Sequence, residues 1–378
     1  MYFVIEASKT LQKSFAIQKN SITLPSVIIA KFFCFLVSKQ LEGLKIANNK
    51  IYNDLKFIGH TLVMEKYSIG VDLGGTNTVF GIVSSSGEVI AEASIKTQAY
   101  PDVKDFVCAG NECLQQLISK VGGICMIKSM GIGAPNANYY TGCIELAPNL
   151  PWHGVVPLAQ MFSDALGIPV RMTNDANAAA IGEMTYGAAR GMRDFIVITL
   201  GTGVGSGIVV NGSLLYGHDG FAGELGHVIM DRSDNARLCG CGRKGCLEAY
   251  CSATGVARTA RQILEETDEP SLVRQKEIGK IESLDVSVAA SKGDALALRI
   301  FDFTGDMLGR ACADFAAFSS PEAFIFFGGL TRAGELIMKP IRDSYERNVM
   351  PIYKGKARFL VSELMDRNAA VLGASAIV

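Results

Sequence analysis

Tyr67-Ser68-Ile69-Gly70-Val71-Asp72-Leu73-Gly74-Gly75-Thr76-Asn77-Thr78-Val79-Phe80-Gly81-Ile82-Val83 is the stretch from which the fold is read. Apolar and β-branched residues flank a tip of adjacent glycines, which is the composition of a β-hairpin. The pattern predicts a strand over 67–71, a turn over 72–77 and a strand over 78–83, with another turn at 84–88 into a third strand. The tip is not a P-loop, because Gly-x-x-x-x-Gly-Lys-Ser/Thr occurs nowhere in the chain. Nor does it open directly into a helix, as a dinucleotide fingerprint must. Backbone N–H groups in such a tip, with the Thr76 hydroxyl, can cradle phosphate oxygens. Asp72, just before them, can hold Mg²⁺ directly or through water.

The same design recurs further on. Phe195–Leu200 reads as a strand, Gly201-Thr202-Gly203-Val204-Gly205-Ser206-Gly207 as its tip and Ile208-Val209-Val210 as the return, with a hairpin turn at Asn211-Gly212. Two such units imply an internally duplicated α/β fold in which each half offers a phosphate loop to one cleft. A third apolar run, Phe324–Phe327, ends in Gly328-Gly329-Leu330 and leads into a helical stretch, a position suited to the nucleoside end of a ligand.

Between the repeated units, apolar residues at helical spacing predict a helix over 102–121. A strand over 130–133, the loop Ala134-Pro135-Asn136 and the segment Ala147-Pro148-Asn149-Leu150-Pro151-Trp152 follow. A Pro-rich loop with Asn and the only Trp suits a polyol site, since amides bridge sugar hydroxyls; the plainer reading is a rigid connection. A strand over 168–173 then meets a helix-forming stretch over 176–189, with Asn174 or Asp175 as its N-cap. The helix dipole favours an anion there, so Asp175 is expected to stay ionised and able to accept a proton. It could be a plain capping residue, but the glycine-rich tips on either side make it the candidate general base of a phosphoryl-transfer enzyme.

Cys239-Gly240-Cys241-Gly242-Arg243-Lys244-Gly245-Cys246 supplies three thiols in one glycine-rich knuckle, and His227 lies upstream in Gly223-Glu224-Leu225-Gly226-His227. Cys₃His is a tetrahedral structural zinc set. Spacing alone leaves open whether His227 folds back; if it does, its second ring nitrogen is free to orient a neighbour such as substrate. No Lewis-acid role is expected.

The chain has 378 residues, 49% of them hydrophobic, enough for two or three domains. A net charge of −1 gives no electrostatic case for nucleic acid. The scattered cysteines (Cys34, Cys108, Cys113, Cys125, Cys143, Cys251 and Cys312) read as core or surface thiols of a reducing cytosol. Residues 1–63 differ from the rest, with eight lysines, no arginine and three acidic residues. The apolar run Val27–Val37 is too short to span a bilayer and lies too deep for a secretory signal. This segment reads either as a truncated helix-turn-helix over 24–44 or, the reading favoured here, as an extension upstream of a native start at Met64.

Asp72–Asn77, Asn174-Asp175-Ala176-Asn177, Leu200–Gly203, Gly223–His227 and Cys239–Glu248 together resemble the ROK family of repressors, open-reading-frame kinases and sugar kinases, glucokinases among them. The resemblance runs from about residue 64 to 378. It implies a ribonuclease H-like, actin-type ATPase fold with two domains around a cleft that closes over sugar and ATP. The domains are expected at 64–185 (small) and 186–364 (large, with the zinc loop), with a C-terminal helix over 365–378 returning to the small domain. By similarity Asn149, Asn174, Asp175, Glu224, His227 and Glu248 hold the sugar, and Asp175 takes the proton of the attacking primary hydroxyl. Asp72 serves Mg²⁺; Gly74, Gly75, Thr76, Asn77, Gly201, Thr202 and Gly203 serve the phosphates; Gly328 and Gly329 approach the nucleoside. His227, Cys239, Cys241 and Cys246 bind zinc. The resemblance also implies a homodimer, while the charge balance, the short apolar run and the cysteines point to a cytoplasmic protein that uses neither nucleic acid nor membrane. One departure is Gly133-Ala134-Pro135-Asn136, where many members carry Pro-Gly. Glucose is the expected substrate; N-acetylglucosamine, N-acetylmannosamine and fructose are alternatives within the chemistry. A sugar-responsive repressor and an idle sugar-binding protein are alternatives outside it.

Overall fold

The computed structural model describes residues 66–365 and 369–377, so the expectations placed on residues 1–63 lie outside the described residues. The opening hairpin is tighter than its sequence suggests. Strand β1 (Tyr67–Leu73) continues through Asp72 and Leu73, which pair with Val79 and Thr78 of β2 (Asn77–Val83). The tip shrinks to Gly74-Gly75-Thr76 because Leu73 buries its side chain and holds the ladder to its end. Next come β3 (Val89–Lys96) and helix α1 (Val103–Lys120), whose cap Asp102 accepts the Lys104 N–H at 2.8 Å. The first half continues with β4 (Ile127–Gly133), β5 (Ile144–Glu145), β6 (Val155–Val156), α2 (Leu158–Leu166), β7 (Val170–Thr173) and α3 (Asp175–Tyr186). Helix α3 stops at Gly187, short of the 189 expected from composition.

The second half contains β8 (Phe195–Leu200), β9 (Val204–Val210), β10 (Ser213–Leu214), α4 (Glu248–Cys251) and α5 (Ala253–Glu266). It goes on with α6 (Ser283–Ser291), α7 (Ala295–Ser319), β11 (Ala323–Phe327), α8 (Glu335–Asn348) and β12 (Arg358–Val361), and α9 (Ala369–Ser375) ends the chain. The first sheet runs β3-β2-β1-β4-β7 and the second β10-β9-β8-β11-β12. Each is an antiparallel three-strand meander extended by two parallel strands. The repeated order is the duplication that the two glycine tips implied, and it is the ribonuclease H-like, actin-type fold expected from the family resemblance, with the cleft between its halves.

Each sheet has its own core. Ile69, Val71, Phe80 and Ile82 pack with Phe106 and Leu114 of α1 and Phe162 of α2. Ile196, Ile198, Phe324 and Phe326 pack with Leu308 of α7 and Ile341 and Tyr345 of α8. Each such buried side chain contributes about 1.5–3 kcal/mol. The opposite face of the first sheet carries a row of glycines in register, Gly81–Gly70–Gly131 across β2, β1 and β4. Helix α9 lies directly on this row. A Cβ at Gly70 would strike the Val371 carbonyl, and one at Gly131 the Ala374 carbonyl. On the second sheet, a Cβ at Gly207 of β9 would stand 2.6 Å from Ala180 of α3. The alanines of α3 thus let it contact both α9 and the second sheet.

Candidate active site

Strands β1, β4 and β7 run parallel and finish on one edge, with Asp72 opposite Gly133 and Gly133 opposite Thr173. Ligands of open α/β sheets gather at such carboxyl ends. The chain leaves β7 straight into α3, whose cap is Asn174: its Oδ1 accepts the Asn177 N–H at 2.7 Å. Asp175 therefore sits in the first helical turn, accepting the Ala176 N–H at 2.8 Å. Asp175 is exposed to solvent, but protein crowds the rest of its carboxyl. The helix dipole, expected to favour the anion here, is outweighed. Desolvation pushes the Asp175 carboxyl up from the ordinary Asp range, against the lowering effect of the N–H groups of Ala176 and Asp175. Asp72 is pushed up to about 6, first by burial and then by the charge of Asp175. The two carboxyls therefore share one electrostatic environment.

The first tip is tied down from several directions. Gly74 N–H donates to the Asn77 carbonyl at 3.0 Å, so Asn77 serves the tip through its backbone. The Thr97 hydroxyl donates to the Gly74 carbonyl at 2.8 Å, and the Gln98 amide to the Gly75 and Asn149 carbonyls at 2.6 and 3.2 Å. A Cβ at Gly75 would stand 2.8 Å from the Asn149 carbonyl, so only glycine lets Asn149 seat against the first tip. Thr97 and Gln98 were not singled out from sequence. Their partners lie 23 and 51 residues away, where local spacing carries no signal.

At the second tip Gly201 N–H donates to the Gly203 carbonyl at 3.0 Å, and the start of α5 holds the loop from behind. Ala253 N–H donates to the Gly201 carbonyl at 2.8 Å and the Thr254 hydroxyl to the Thr202 carbonyl at 2.9 Å. Glu248 Oε2 accepts the Val204 N–H at 3.0 Å. Gly328, with φ of 114°, ends β11 beside β8, and a Cβ there would strike the Leu200 carbonyl. Gly328 and Gly329 therefore adjoin the second tip.

The knuckle closes the arrangement. His227, Cys239, Cys241 and Cys246 bring their ligand atoms within 4.8 Å of one another, so His227 does fold back. Cys241 Sγ and Cys246 Sγ are 3.7 Å apart, and Cys239 Sγ stands 3.6 Å from His227 Nδ1. Sulfurs at about 2.3 Å from one tetrahedral ion would be about 3.7 Å apart, so the donor set fits zinc. His227 Nε2 faces Glu224 Oε2 at 3.9 Å, and Cys239 Sγ faces Glu248 Oε1 at 3.4 Å. Desolvation raises the Glu224 carboxyl, His227 opposes this, and the charges of Asp175 and Glu248 raise it further. Asp72, Asp175, Glu224 and Glu248 thus form one acidic group between the two glycine tips, suited to gripping hydroxyls and a metal-bound polyphosphate.

Residues 68–378 match the model of the ROK family. Over 315 residues the chain is 37% identical to a glucokinase of Thermotoga maritima, an alignment covering 82% of this chain and 96% of that protein. The crystal structure of a ROK family glucokinase from Streptomyces griseus in complex with glucose and AMPPNP superposes with a TM-score of 0.67 at 33% identity, covering 82% of this chain and 99% of that one. A xylose repressor of Caldicellulosiruptor bescii is 28% identical over 312 residues, covering 82% of this chain and 77% of the repressor.

Proposed function

The chain belongs to the ROK family and is a sugar kinase, and we propose that it transfers the γ-phosphoryl group of ATP to the primary 6-hydroxyl of glucose. The observation that carries this reading is the recessed Asp175 carboxylate, set at a helix start between two glycine tips and within electrostatic reach of Asp72 and Glu224. In the proposed mechanism Asn149, Asn174, Glu224, His227 and Glu248 hold the sugar hydroxyls and present the primary one to Asp175. Asp175 accepts its proton as the oxygen attacks the phosphorus. Its raised affinity for protons makes it a better base at neutral pH.

The two tips formed by Gly74, Gly75, Thr76 and Asn77 and by Gly201, Thr202 and Gly203 cradle the phosphates, and Gly328 and Gly329 admit the nucleoside. Mg²⁺ held by Asp72 would supply neutralisation of charge on the transferring group, which is most of what this chemistry needs. His227, Cys239, Cys241 and Cys246 would hold zinc in a structural role, and the knuckle they close would keep His227 and Glu248 aimed at the sugar. The halves meeting at the cleft act as domains of 64–185 and 186–364, with α9 returning to the first. A cytoplasmic homodimer completes the reading; no described helix is long and apolar enough to cross a membrane.

ADP release by the full chain with Mg-ATP, against glucose, mannose, fructose, N-acetylglucosamine and N-acetylmannosamine, tests the proposal. Strong turnover on glucose alone is expected. Preference for fructose or an N-acetyl sugar would keep the mechanism and replace the substrate. Sugar binding without turnover would favour the second reading, a sugar-responsive repressor, to which the xylose repressor similarity lends support.

A further inference from the structure

Among the described residues, one carboxylate is fully buried, and the proposed chemistry makes no use of it. Glu183 is 1% exposed, on α3 two turns beyond Asp175. The chain crosses between the halves twice: after α3 into β8, and again when it leaves β12 at Ser362 on the way to α9. Glu183 holds both crossings. Its Oε2 accepts the Ala188 N–H of the first crossing at 2.8 Å. Its Oε1 accepts the Ser362 hydroxyl of the second, and the Glu363 N–H also points at this carboxylate. Ser362 in turn accepts the Leu364 N–H at 3.0 Å. The fit is close, since a Cβ at Gly187 would strike Glu183 Oε2.

We infer that Glu183 is the hinge pin of this enzyme, a positioning residue that fixes both crossings to the helix carrying Asp175 and so sets how the second half closes over the sugar. A buried carboxyl that merely filled space would be better replaced by an apolar residue, because desolvation is costly unless every lone pair is satisfied. Among the described residues its acceptors meet donors from both connections and from no other element. Helix α3 then acts as a strut, with Asp175 at the cleft end and the pin near the other. Rotation of the second half about the crossings is transmitted to the base as a change in angle, not absorbed in a loose linker.

The inference rests on the sugar-kinase reading, and the test separates the two. Small-angle scattering of the full chain, with and without glucose plus a non-hydrolysable ATP analogue, reports closure; steady-state kinetics report KM and kcat for the sugar. All are measured well below each variant's Tm. Glu183→Ala is expected to lose the ligand-induced compaction and raise the sugar KM about tenfold, the effect of a tenfold fall in the closed population. Glu183→Gln, which can turn its amide to accept from Ala188 and donate to Ser362 Oγ, is expected to remain within about threefold of wild type. Ser362→Ala, which frees one crossing, should fall between them and serves if Glu183→Ala does not fold. A Glu183→Ala protein, or failing that Ser362→Ala, with wild-type compaction and KM within twofold would overturn the pin, even if its Tm had dropped. Wild-type protein that does not compact would overturn it too. Compaction with sugar but no phosphoryl transfer would leave the pin standing and sink the kinase reading.

Discussion

At Asp175 the helix dipole and the surrounding protein pull in opposite directions, and burial prevails. A base held above the ordinary Asp range is better matched to a hydroxyl proton near neutral pH than a fully solvated carboxylate. Asp175→Ala should therefore cut kcat by about 10²-fold or more while leaving affinity for an ATP analogue within about threefold. A variant keeping more than about a tenth of wild-type turnover would remove Asp175 from the role. Asp72 offers a test in the protein without added magnesium. Its folded pKa of about 6 exceeds the ordinary 3.8, so between those values the folded chain binds more protons than the unfolded one. Stability from this group is present at low pH and lost as pH rises through about 6. Asp72→Asn should consequently stabilise the magnesium-free protein at pH 7.5 by on the order of 1 kcal/mol, with the gain vanishing towards pH 4. Urea midpoints that shift equally at both pH values would contradict burial as the cause.

The knuckle and the second tip behave as one element, because Glu248 touches Cys239 on one side and the Val204 N–H on the other. Cys241→Ser should lower Tm and weaken sugar binding together, since a loosened knuckle releases both Glu248 and His227. Thermal unfolding with sugar titration checks this, and a fall in Tm with unchanged sugar affinity would confine the knuckle to a scaffold role. Elements of this kind were legible in the sequence where the signal is local. Strand–glycine–strand repeats gave the duplicated fold, and the cysteine spacing gave the knuckle. Asp72 and Leu73 were misread as turn because their pairing with Val79 and Thr78 is a tertiary fact. The strand glycines Gly70, Gly81 and Gly131 are plain in the sequence, but their reason is a helix some 240–300 residues further along. Gln98, Thr97 and Glu183 could not be found at all, since each acts on groups brought close only by the finished fold.

At the scale of the whole molecule, the acidic group draws from both halves of one duplicated architecture. Asp72, Asn149, Asn174 and Asp175 belong to the first half, while Glu224, Glu248, the second tip and Gly328 belong to the second. On the proposed roles, a sugar gripped by Asp175 and Glu224 would bridge the cleft, and so would a polyphosphate cradled by both tips. Each ligand would then stabilise the same closed arrangement and contribute part of the free energy of closing. Binding of the second is then easier than binding of the first, by a factor that linkage requires to be the same in either order. Calorimetry should find glucose tightening an ATP analogue about five- to tenfold, and the analogue tightening glucose equally. Equal factors above one would mean that closure is shared between the sites. Factors near one in both directions would mean that the cleft is already closed without ligand, and that Glu224 and Glu248 meet the sugar in a rigid pocket.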